Sequence, residues 1–333
     1  MEKINKNGLL IAHTGGFLNA FFLASLLFLA AFIPAAQAGY PEKEITIIIP
    51  WAVGGGTDLV TRAVARVMEE DLGKPVVVVN KPGGGGLIGY QQIAAADPDG
   101  YTLGSIAAPM IHHKYLGSKY VDRKNLTPIA LFNQDSCGFI VKMDAPWKTL
   151  KEALNYAKQN PGKMRIATSG PGGALHVVLV MLESATGLKF TNVPYGGSGP
   201  ASVALAGGHV EASTDLPSAV HALIEGGKLR VLAVTSENRD PQYPDIPTFK
   251  ESGVALTYLN WRGIAGPKGI PKDIVDRLAK SMKNVVESQK FKDFMNQGHF
   301  GYPYKGPEEF AAFMEKYEND FSKIAPNLGI KKK

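Results

Sequence analysis

Along this chain the apolar positions switch between two rhythms. Residues 44–49 (EITIII) form a short, nearly continuous apolar run, the pattern of a buried strand. Residues 57–71 place Leu59, Val60, Ala63, Val64, Val67 and Met68 at helical spacing. PVVVV at 75–79 predicts a second strand, 87–96 a second helix, and YTLGSI at 101–106 a third strand. Strand, helix, strand, helix, strand with short links predicts a parallel sheet with helices on its faces.

The alternation resumes further on. Helices are predicted over 150–159, 174–185, 200–206 and 217–224, and strands over 164–168, 189–193, 209–214 and 229–235. Beyond Pro267 the pattern is helical only, over 271–287, 289–296 and 307–324. Two α/β units with a helical tail predict two lobes with a cleft between them.

Open parallel sheets bind ligands at the carboxyl ends of their strands. The loops at those ends read PWAVGGGT (50–57), NKPGGGG (80–86), AAPMIHH (107–113), SGPGGALH (169–176) and PYGGSGPA (194–201). Glycine-rich loops let a ligand approach backbone N–H groups closely. Several run directly into a predicted helix, whose N-terminus carries partial positive charge. A cleft lined by backbone donors from both lobes suits an anion. None of the five loops contains Arg. A small carboxylate is therefore expected to be held by amides, hydroxyls and water rather than by a guanidinium.

The ends and the composition set the compartment. Lys3 and Lys6 precede an apolar stretch at 17–33, and Ala36-Gln37-Ala38 gives a small-x-small cleavage pattern. This predicts a signal peptide over residues 1–38, cut before Gly39, and export to the periplasm. Cys137 is the single cysteine, which excludes an intrachain disulfide and any multi-cysteine metal framework; it is expected to be a small buried residue. The net charge of +6 is scattered rather than clustered, which argues against a nucleic-acid footprint.

Residue spacing bears on three enzymatic readings. Gly84, Gly86 and Gly89 fit G-x-G-x-x-G, but Asn80, Lys81 and Pro82 separate the strand from the glycines. The following acids, Asp97 and Asp99, fall before the third strand rather than after it, so a dinucleotide site is not expected. Ser169 and His176 lack any marked third partner. His112 and His113 are adjacent, and no metal-ligand spacing occurs, so neither cofactor nor metal is expected.

The ordered segments IIIPWAVGGGTDLVTRAVA (47–65), VVNKPGGGGLIG (78–89), AADPDGYTLG (95–104), ATSGPGGALHV (167–177), VPYGGSGPA (193–201), GGKLRVLAVTS (226–236) and YPDIPTFKESG (243–253) resemble the Bug/TctC-type solute-binding proteins of tripartite tricarboxylate transporters. The likeness covers essentially the whole chain after residue 38. It implies an α/β, type II-like, two-lobed periplasmic binding fold that closes on a carboxylated ligand and delivers it, as a monomer, to integral membrane subunits. Carried onto this chain, it places Trp51, Ala52, Gly54, Gly55, Thr57 and Asp58 in the first loop. Gly84, Gly85 and Gly86 stand in the second, with Ala107 and Ala108 nearby. The facing lobe offers Thr168, Ser169, His176, Tyr195, Gly196 and Asp215.

Two departures matter. Thr57 stands where the family often has Pro, and Gly196 where it often has Lys, which tilts the expectation away from a highly charged tricarboxylate. The first lobe is expected over 39–141 plus 262–333, and the second over 142–261. Two alternatives keep the same residues: a sensor presenting a carboxylate to a kinase, and a secreted hydrolase built on Ser169 and His176.

Overall fold

The apolar run at the start of the described chain becomes a strand, β1 (Ile45–Ile49), with Ile45, Ile47 and Ile49 fully buried. The computed structural model describes residues 39–118 and 121–328. The expected signal peptide, residues 1–38, lies outside the described residues. No helix among the described residues is long and apolar enough to cross a membrane.

After β1 come α1 (Gly56–Leu72), β2 (Val76–Asn80), α2 (Leu87–Ala94), β3 (Thr102–Ala107), α3 (Pro109–Tyr115) and β4 (Leu126–Ser136). The chain continues through β5 (Gly138–Lys142), α4 (Leu150–Gln159), β6 (Arg165–Thr168), α5 (Ala174–Thr186), β7 (Thr191–Pro194), α6 (Ser198–Ala206), β8 (Ala212–Ser213), α7 (His221–Glu225) and β9 (Leu229–Val234). It closes with β10 (Leu259–Pro267), α8 (Lys272–Glu287), α9 (Gln289–Gln297) and α10 (Pro307–Ile324). The helix expected over 217–224 is split into a 3-10 turn, Pro217–Val220, followed by α7.

Among the described residues the strands form two five-stranded sheets, ordered β2-β1-β3-β10-β4 and β7-β6-β8-β5-β9. Each sheet has three parallel strands, as the alternation with helices requires. Each also has two antiparallel contacts: β10 with β3 and β4, and β5 with β8 and β9. The expectation of purely parallel sheets is corrected here. In both sheets the strand beside the parallel trio has just arrived from the other half of the molecule, and it enters running the opposite way.

That topology also moves the lobe boundaries. The expected divisions at 141/142 and 261/262 cut through β5 and β10. Each of these strands lies wholly in one sheet, because breaking a strand would leave its ladder hydrogen bonds unmade. The first crossing is at Cys137, which is fully buried. The return lies between Val234 and Leu259. Thr235 ties the two crossings together. Its N–H donates to the Cys137 carbonyl (2.7 Å), the Cys137 N–H donates to its Oγ1 (2.9 Å), and its hydroxyl donates to the Tyr258 carbonyl (2.7 Å).

The helical tail returns to the first sheet. α10 lays Phe310, Phe313 and Tyr317 edge-on around Trp261, at centroid separations of 5.6–5.8 Å. Trp261 is thus a packed anchor of the return strand, and burial of rings of this size dominates local stability.

Candidate ligand-binding site

A cavity of about 40 Å3 lies between the two halves, enclosed by loops at the carboxyl ends of the parallel strands. From the first half it is lined by Trp51, Ala52, Gly55, Gly56, Thr57, Asp58, Ala107, Pro109, Asn260 and Arg262. From the second it is lined by Ser169, Ala174, Leu175, Ser198 and Leu216. This volume holds one or two waters.

Three helices begin at this cavity: α1 at Gly56, α5 at Ala174 and α6 at Ser198. Each is preceded by a glycine, and none has a side-chain cap. The first N–H groups of a helix have no intrahelical partner, and they carry the positive end of its dipole. Three such ends converging on one enclosed space make an anion site without requiring a free charge.

The first loop is held by its own acid. Asp58 is buried; its Oδ2 accepts from the Gly54 N–H (3.0 Å), and its Oδ1 accepts from Arg62 Nε (3.0 Å) and Asn80 Nδ2 (2.9 Å). Burial alone would raise this carboxyl. The Arg62 guanidinium, the Gly54 amide and Asn80 together hold it below its ordinary value. Asp58 lines the cavity, yet its oxygens are spent on shaping the loop.

The glycine run at 83–86 has a different part. Gly84–Gly86 form a 3-10 turn. Gly85 takes a positive φ of 65°, and a Cβ on it would come 2.0 Å from the Pro171 carbonyl oxygen of the facing half. The run therefore permits a backbone-to-backbone contact between halves. Gly84, Gly85 and Gly86 do not line the cavity, and neither does Ala108, which sits buried at the start of α3. The halves also meet where the Ala52 N–H donates to the Gly196 carbonyl (3.1 Å) and where His112 Nδ1 bonds the Gly172 carbonyl (3.2 Å).

In the second half, Ser169 reaches the cavity, while its neighbour Thr168 turns away and donates to Asn192 Oδ1 (2.6 Å). His176 stands behind the loop; its Nδ1 accepts the Gly172 N–H (3.2 Å), and burial lowers its affinity for a proton. Ser169 Oγ is buried without a hydrogen-bond partner, so the two do not form a nucleophile–base pair. Tyr195 and Gly54 line an outer depression instead. Asp215 accepts from the Ser198 hydroxyl (2.7 and 2.8 Å) and from the Leu216 N–H (2.8 Å), so it orients a lining residue from behind. Burial lifts its carboxyl to about 6, against the pull of Ser198 and Leu216.

Sequence reasoning missed Asn260 and Arg262. A guanidinium lies at the cavity although none of the five loops carries one. Arg262 is 1% exposed and lines the cavity; its Nε donates to Thr57 Oγ1 (2.9 Å), and its Nη1 donates to Asp135 Oδ2 (2.7 Å) and to Asn133 Oδ1. Burial raises the Asp135 carboxyl, although Arg262, the Gly301 N–H and Asn133 all pull it down. The signal lay in the run LNWR: strand alternation puts Asn260 and Arg262 on one face and Trp261 on the other.

Residues 60–330 match the model of the tripartite tricarboxylate transporter family receptor, TctC. The chain belongs to this receptor family. Its fold is shared with the periplasmic binding protein BugD, at 34% identity and a TM-score of 0.85, over 88% of this chain and 100% of that one. The R. palustris protein Rpa4515, solved with adipate, is 26% identical with a TM-score of 0.83, over 87% of this chain and 99% of that one. MatC from Rhodopseudomonas palustris, solved with bound malate, is 25% identical with a TM-score of 0.81, over 86% of this chain and 100% of that one. The family is one of solute-binding receptors, and the last two of these neighbours hold carboxylates.

Proposed function

We propose that the protein is a monomeric periplasmic receptor. It captures a small organic carboxylate between its two halves and delivers it to the membrane subunits of a tripartite transporter. The observation that carries this reading is the meeting of three uncapped helix N-termini at one cavity between the halves. The malate and adipate held by related proteins support the same ligand chemistry. In this reading the halves are residues 41–136 with residues 259–328, and residues 138–258. They hinge where Thr235 joins Cys137 and Tyr258. Ligand favours the closed form because both halves touch it only there.

A thermal-shift screen of residues 39–333 against mono-, di-, tri- and aromatic carboxylates tests it. A ligand at 100 times its Kd adds about 2.7 kcal/mol of stability, which is readily seen. A shift confined to one carboxylate class supports the reading. Folded, ligand-free protein that shifts with none of them refutes it.

A further inference from the structure

The two halves also meet outside the cavity, at a pair of stacked imidazoles. His221 opens α7 in the second half, and His299 follows α9 in the first. Their ring centroids are 4.0 Å apart and their planes 26° from parallel. The turn that leads into α7 already faces the first half: a Cβ on Gly56, at the start of α1, would come 3.0 Å from the Ala219 Cβ. The stack therefore belongs to the closed contact, and parting the halves unstacks it. Among the described residues His299 is the one non-glycine with a positive φ, 54°. Backbone of this kind persists only where its surroundings impose it, and it gathers at switch regions. His299 Nδ1 is also buried without a hydrogen-bond partner. Packing alone gives no reason to keep a strained histidine with an orphaned nitrogen at this place.

His221 Nδ1 meets the Tyr243 hydroxyl at 3.3 Å, and its Nε2 stands 3.8 Å from Glu225 Oε1 on its own helix. Burial, and then His299, lower the affinity of His221 for a proton, while Glu225 raises it. The Tyr243 ring packs against both imidazoles; burial, with Asp135, Asp240 and Glu225 nearby, holds its hydroxyl neutral. Arg262 pairs with Asp135 at 2.7 Å. Glu225 travels with His221 when the halves move, whereas His299 does not. Resting on the closure described above, the geometry points to the His221–His299 stack as a proton-sensitive latch between the halves. Closing expels a proton from the stack, and acid favours the parted form. A receptor built this way releases its carboxylate as its surroundings acidify.

The experiment clamps the halves. A Cβ on Gly196 would stand 3.6 Å from the Ala52 Cβ, within disulfide reach, so Ala52→Cys with Gly196→Cys holds them closed when oxidised and frees them when reduced. Gly55→Cys with Ser198→Cys, at 3.3 Å, supplies an independent clamp. The native Cys137 is buried away from both. NMR titration of the His221 ring compares the two redox forms of residues 39–333 with no carboxylate present. The reduced form is expected to bind the His221 proton about threefold or more tightly than the oxidised form, a shift of about half a pH unit. His299→Asn removes the facing ring and tolerates the left-handed backbone, and it should narrow that gap by about half or more. Equal titration of the two redox forms overturns the inference, as does a gap that His299→Asn leaves intact. Either result leaves the receptor reading standing, because that reading fails separately, in the carboxylate screen.

Discussion

Gly199→Ala separates stability from ligand capture. Gly199 is the second residue of α6, in the second half, and it faces the first loop. A methyl there would stand 2.4 Å from the Val53 carbonyl oxygen and 3.0 Å from the Gly54 carbonyl carbon. Reaching even 3.0 Å from Val53 requires the loop and helix to separate by about 0.6 Å, and backbone atoms yield poorly. Overpacking of this kind costs about 1–3 kcal/mol. Within its own helix the change runs the other way: Gly199 has no positive φ, and Ala over Gly in a helix is worth up to about 1 kcal/mol. The variant is therefore expected to retain or raise its urea midpoint without ligand, and to bind its carboxylate roughly 5- to 150-fold more weakly. Denaturation with calorimetry on the same preparation reads both. A folded variant with wild-type Kd would refute the claim that ligand capture needs this approach of the two halves.

Other outcomes follow from the buried groups. Arg262→Gln alone is expected to cost about 3–5 kcal/mol in urea unfolding, and the double variant with Asp135→Asn far less, because the penalty is the stranded carboxylate. His112 is fully buried, and burial lowers its proton affinity from 6.5 to about 3. The unfolded chain then takes up this proton first, so stability is lost as pH falls from 6.5 toward 3, at about 1.4 kcal/mol per pH unit. Asp215 opposes this: its folded carboxyl titrates near 6, so its contribution is lost as pH rises through that value. The stability difference between wild type and His112→Gln, in which the Asp215 effect cancels, should shift against wild type as pH falls, by close to one proton's slope between about pH 5.5 and 4. Phe310→Ala removes a fully buried ring from beside Trp261 and should cost about 3–5 kcal/mol, measured as a lowered urea midpoint with unchanged m.

The sequence by itself determined the repeating units. β1 to β3 and β6 to β9 announce themselves through short apolar runs, and α1, α4, α8 and α10 through helical spacing, because local periodicity decides which face can be buried. The glycine loops were equally legible. So was the principle that helix N-termini at strand ends favour an anion. Tertiary structure alone decided the rest. β4 is not among the elements that the apolar pattern predicts, and its last residues are FNQDS. They are a strand because they pair with β10, and there Asn133 and Asp135 meet Arg262 and the Gly301 backbone. Those partners stand 127 to 168 residues away, which no local pattern encodes. For the same reason the five loops could be read while the guanidinium beside them could not: Arg262 reaches Thr57 across 205 residues, on a strand that joins the first sheet only after the chain has returned from the other half.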